Sequence, residues 1–145
     1  MAITLAICTS FKQELLVGTH NFTATTGNTF KIALFTSSAT LGAGTTAFAT
    51  TNEITNSSGT AYTSGGATLT NITPTTDSTT AVVDFSDVSF TSASFTANGA
   101  LIYNSSQSNK AVAAIAFGGD KTVSSGTFTI QFPTADATNA IIRLA

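Results

Sequence analysis

Between Gly126 and Pro133 the chain reads Thr127-Phe128-Thr129-Ile130-Gln131-Phe132, apolar at every second position. A period of two is the signature of a strand with one face against a core, because successive side chains leave the backbone on opposite sides. Phe128, Ile130 and Phe132 are therefore expected to share the core face, with Pro133 ending the strand. Other short apolar runs bounded by turn residues extend the pattern. Phe30 to Phe35 is too short for a helix and apolar enough for a central strand. Further strands are expected near Ala67 to Ile72 and Thr80 to Phe85, separated by Pro74 and Thr75-Thr76-Asp77-Ser78. The alternation then changes phase between Val83/Phe85 and Val88/Phe90, which calls for a bulge or turn near Ser86-Asp87. Ala100 to Tyr103 and Ala111 to Phe117 read as two antiparallel strands around a polar loop, their alanines suited to close approach by a second layer. Gly118-Gly119-Asp120 is expected to turn the chain, and Ala140 to Leu144 to form a last strand. Residues 36–66, punctuated by Gly42, Gly44, Gly59, Gly65 and Gly66, are expected to be long loops or edge strands.

One helix signal interrupts this. Ser10 is positioned to cap a helix through Phe11 to Val17, with Gln13 at the capping-box position and Gly18 as the stop. Composition supports the same balance. Thr and Ser occupy roughly a third of the positions, only 8% of residues are charged against about a quarter in ordinary domains, and eleven Phe supply a core that disordered chains lack. The expectation is a single all-β domain, a β-sandwich of jelly-roll or immunoglobulin-like type with one short N-terminal helix. Residues 1–28 would be the N-terminal segment and residues 29–145 the sandwich.

The residues that could carry chemistry are few. Net charge is −2, and Lys12, Lys31, Lys110, Lys121 and Arg143 are scattered singly, so no basic stripe exists for a nucleic acid. His20 is the one histidine, with no ligand partner at metal spacing, and its simplest place is at the surface or in an interface just past the helix stop. Asp84, Asp87 and Asp120 read as ordinary turn and strand-end residues rather than a calcium site. Gly118-Gly119-Asp120-Lys121 lacks the flanking glycines and following helix of a phosphate loop. No serine has a nucleophile-elbow setting. Cys8 is expected to be a small core residue, and Asn56-Ser57-Ser58 is a sequon without a secretion signal beside it. No catalytic residue, metal or cofactor is expected, nor a membrane span, since no eighteen apolar residues run together. The chain reads as made and kept in the cytosol, or released by lysis.

Four segments carry a resemblance: Ser10 to His20, Phe30 to Thr36, Gly99 to Asn104, and Gly126 to Pro133. Together they resemble a family of small tailed-bacteriophage proteins encoded among virion genes. The resemblance implies a virion structural protein, in its most specific form a capsid decoration (cement) protein that sits on the shell as homotrimers and contacts the major capsid protein or another virion protein. Two other roles stay open: a tail, neck or fibre-associated virion protein, and a carbohydrate-binding β-sandwich using Tyr62 or Tyr103 as a stacking platform. The segment before Asn28 differs in periodicity from the rest, so Phe11, Lys12, Leu15 and His20 are the candidate assembly contacts. The competing expectation is that the helix plugs an open end of the sandwich, burying Phe11, Leu15 and Leu16.

Overall fold

The computed structural model describes residues 2–55 and 61–145; the sequon at Asn56 and the punctuating Gly59 lie outside them. The fold is all-β and sandwich-like, with two antiparallel sheets and one short helix. Its elements are β1 (Ala6–Ile7), α1 (Thr9–Leu16), β2 (Phe30–Phe35), β3 (Ala67–Thr68), β4 (Asn71–Asp77), β5 (Thr80–Phe85), β6 (Val88–Asn104), β7 (Lys110–Ile130) and β8 (Ile142–Leu144). The larger sheet has the order β1-β7-β6-β2-β3, and the smaller one β4-β5-β8.

β2 sits where its sequence demands. Five of its six residues are buried, and it pairs along its whole length with the C-terminal part of β6, from Phe30 opposite Asn104 to Phe35 opposite Gly99. Phe30 stacks on Phe22 at 4.3 Å and meets Phe85 of the smaller sheet at 5.8 Å, so these rings tie the two sheets together. Leu101, Ile102, Val112, Ala113 and Ala114 are at most 2% exposed. The alanines of β7 thus lie in a strand covered on both faces, as their small size requires.

Four expectations are corrected or made more specific by the structure. Pro74 does not separate two strands but lies inside β4, where the register with β5 shifts between Ile72 and Thr75. β4 is an edge strand, so the missing N–H is tolerated there. The phase change at Ser86-Asp87 is a change of sheet: β5 belongs to the smaller one and β6 to the larger. Gly118-Gly119-Asp120 does not end a strand. β7 runs through it, and Asn98 of β6 faces the four residues Phe117 to Asp120, held in part by its amide donating to Asp120 Oδ1 at 2.8 Å. Gly118 and Gly119 have φ of +75° and +141°, which only glycine adopts without strain. The result is a corner. Phe117 and Phe128 have ring centroids 6.0 Å apart, whereas a straight strand would separate them by roughly 36 Å. Finally, Phe128, Ile130 and Phe132 face inward as the alternation requires, but they are half-buried at the margin of the core rather than at its centre.

The helix begins at Thr9, two residues earlier than its sequence suggests. Cys8 is the N-cap, no side chain caps the first turn, and the Ser10 hydroxyl is buried without a partner. Gly18 follows at φ +75° and donates to the Leu15 carbonyl, closing the helix as expected.

Candidate functional site

Among the described residues, two interior points gather buried charged side chains, around Glu14 and around Glu53. The first is built where α1 meets the ends of β6 and β7. Glu14, on the inner face of α1, accepts from His20 Nε2 at 2.7 Å and from Lys110 Nζ at 3.2 Å. Asn104, fully buried at the end of β6, brings its Nδ2 to 2.9 Å from His20 Nδ1 and donates to Asn28 Oδ1. Backbone donors fix the direction of this chain. The Ser106 N–H points at Asn104 Oδ1, and the Asn21 N–H at Asn28 Oδ1. Asn104 therefore presents its amide nitrogen to the ring, His20 Nδ1 accepts, and Nε2 carries the proton donated to Glu14. The imidazole side chain is 0% exposed, with Phe11 at 4.8 Å and Phe30 at 6.3 Å between centroids. Both ring nitrogens are occupied and the ring is shielded from solvent, so the arrangement pins the helix, the 19–28 loop and the hairpin end to each other.

The second point fastens the loop before β3. Glu53 Oε1 accepts from the Tyr62 hydroxyl and the Gly65 N–H, both at 2.6 Å, and Oε2 accepts from Ser64. Tyr62 in turn accepts the Leu34 N–H, and the Tyr103 hydroxyl donates to the Gly65 carbonyl at 2.6 Å. Burial pushes Tyr103 up to about 12, and burial with the Glu53 contact pushes Tyr62 higher still. A Cβ on Gly66 would overlap the Ile32 carbonyl, so glycine is required there. This point was not foreseen from the sequence. Its signal is a carboxylate alone in a Thr- and Gly-rich stretch, followed nine residues later by one of two tyrosines.

The expected assembly residues separate. Phe11 is 1% exposed and His20 8%, so the expectation of a surface His20 is corrected: its partners Glu14 and Asn104 draw it inside. Leu15 is half-buried against the core, and Lys12 is exposed. Leu16, expected to be buried in a plug, is 87% exposed, and Val17 beside it 66%. The helix thus closes the core with Phe11 and offers Lys12, Leu16 and Val17 outward. Cys8 lies fully buried in the core, and burial pushes its thiol up to about 11. Asp84, Asp87 and Asp120 each accept one hydrogen bond, from the Phe85 and Phe132 N–H groups and Asn98. Among the described residues no group of three or more His, Cys, Asp or Glu could hold a metal ion, and no helix is long and apolar enough to cross a membrane.

The outer surface is hydroxylic and apolar. Ser89 meets Thr129 at 2.9 Å and Thr96 meets Thr122 at 2.8 Å across the distal halves of β6 and β7. Beyond them, two grooves of about 440 and 420 Å³ share Ile115 and are walled by side chains such as Leu5, Phe117, Phe128, Ile130 and Ile141. Comparison with known protein families, with curated proteins and with solved structures yields no match to this chain.

Proposed function

We propose that the chain is a non-enzymatic structural subunit that works by packing in many copies, and in its most specific form a bacteriophage capsid decoration protein that binds the shell as a homotrimer. The observation that carries this reading is the apolar surface. Leu16 and Val17 stand exposed side by side, Leu5 is 67% exposed, and the groove walls around Ile115 are only half-covered. With 8% charged residues and a net charge of −2, little repulsion opposes neighbouring copies, and hydroxyl-rich strands make contacts that tolerate water. Both tyrosines lie inside, at 0% and 2% exposure, so neither offers a face to a sugar ring and the carbohydrate reading loses its platform. A tail, neck or fibre position remains the second reading.

Mass measured over a concentration series is the direct test. The parent should form a trimer, and Leu16→Ser with Val17→Ser should lower its association without lowering its melting temperature. A parent that stays monomeric throughout would overturn the proposal. Counting labelled copies on intact virions then separates shell from tail: many copies per particle support decoration, and a few place the protein at a neck or tail tip.

A further inference from the structure

The outer side of β7 is an open strand edge beside an apolar groove, and its opening has an identifiable cause. β1 covers that edge only at Ala113 and Ala114, with the Cys8 N–H donating to the Val112 carbonyl. In an antiparallel pair every second residue turns its N–H and C=O to the same neighbour. Val112 and Ala114 turn theirs to β1, and Ala116 comes next. Thr4 would face Ala116 if β1 continued, but its N–H goes to the Leu41 carbonyl at 2.8 Å, and Ile3 bridges Leu41 in parallel. The chain is drawn off β7, leaving Leu5 exposed and the backbone groups of Ala116 without a strand.

Alongside lies the groove of about 440 Å³, lined by Ile115, Phe117, Phe128 and Ile130, with Lys121 at its wall. Past Ile115 it continues into the second groove, whose one charged residue is Arg143. Neither lining contains a carboxylate, and Asp120, next to Lys121 in the chain, is engaged by the Asn98 amide. Arg143 donates to the Ala137 carbonyl, whereas Lys121 has no ion pair among the described residues. The site therefore offers main-chain hydrogen bonds, pockets for apolar side chains on one face, and a cation awaiting an acid. The chain's own free edges do not match it. Among the described residues, β4 is interrupted by Pro74, β8 carries Arg143, and β1 and β3 are each two residues long without charge.

We infer that the β7 edge at Ala116, just before the Gly118-Gly119 corner, is a strand-addition site for a different polypeptide: an extended segment, apolar at alternate positions and bearing a carboxylate, pairs with Ala116 and seats its side chains beside Phe117 and Phe128. This rests on the assembly reading and names how a shell or other virion partner is held.

The probe is a capped peptide of alternating valine and threonine with one glutamate, and a second with lysine in its place, followed by fluorescence anisotropy on the whole chain. The glutamate peptide should bind about tenfold more tightly than the lysine peptide. Lys121→Glu should reverse that preference. Ala116→Pro, which removes the outward N–H at an edge position, should abolish binding. If the proline variant does not fold, slowed hydrogen exchange of the Ala116 amide on peptide addition replaces it. Absence of saturable binding by either peptide, or binding indifferent to both variants, overturns the inference while leaving the mass measurement to judge assembly. Self-association that persists in Ala116→Pro supports a different chain as occupant; self-association lost with peptide binding makes the occupant a second copy and overturns that part.

Discussion

His20 illustrates how a residue's role depends on what surrounds it. A single histidine in a hydroxyl-rich chain has no sequence neighbour that would pull it inward; Glu14 is six residues away and Asn104 is 84. In the fold these two take both ring nitrogens, and Lys110 takes the other Glu14 oxygen. Removing the ring strands a buried carboxylate and a buried amide, so His20→Ala should destabilise the protein by about 3–5 kcal/mol in urea unfolding. His20→Gln, able to keep one of the two bonds, should lose less. A loss below about 1 kcal/mol for the alanine variant would mean that the network contributes little.

At the scale of elements, the helix and the last long strand each hold a test. Had Ser10 been the N-cap, its removal would cost about 1 kcal/mol. With Cys8 as the cap and the Ser10 hydroxyl buried without a partner, Ser10→Ala should leave stability unchanged or raise it, and a drop in melting temperature would restore the capping role. For β6 and β7 the prediction is a gradient of depth. Phe90, 4% exposed and in ring contact with Tyr62 and Phe95, should cost about 3–5 kcal/mol on truncation to Ala. Half-buried Ile130 should cost about 1–2 kcal/mol, and exposed Thr129 under about 0.5 kcal/mol. Equal losses at Ile130 and Thr129 would contradict the register of the pair.

For the whole molecule, the tyrosines set an alkaline limit. Both phenols are held above their ordinary 10, Tyr103 at about 12 and Tyr62 beyond it. A raised folded value means that the folded state keeps its proton longer. That contribution is fully present below pH 10 and is lost as pH rises through 12, with each tyrosine reducing stability by about 1.4 kcal/mol per pH unit in between. Urea midpoints should be flat from pH 7 to 9 and fall above 10, and absorbance of the ionised phenol should appear together with unfolding. Phenolate absorbance near pH 10 with the fold intact would sink this. The same two rings anchor the loop before β3 through Glu53 and Gly65, so alkaline ionisation should release that loop along with global stability.

The all-β class, the strand at Phe30 to Phe35, the inward face of Phe128, Ile130 and Phe132 and the single helix were legible from the chain. Each depends on local periodicity and on residues adjacent in sequence. Even the change of sheet left a local trace, as the phase shift at Ser86-Asp87. Gly118-Gly119 turns the chain as expected, but that the strand continues through the turn was not legible, because two glycines permit either outcome and only pairing with β6 selects the continued strand. The cap was misassigned because Ser10 and Cys8 differ by two residues, while the pairing of β1 with β7 decides where the helix starts. The partners of Glu14, Glu53, His20 and Asn104 were beyond sequence reasoning: they lie up to 84 residues distant, and burial makes each of them matter only after the core has closed. The open edge of β7 has the same origin, since an edge exists only relative to the strands that fail to cover it. Local pattern determined which segments became strands and which face each one turned inward. Tertiary structure alone decided which polar groups meet and which backbone is left unpaired, because those depend on distance in space rather than along the chain.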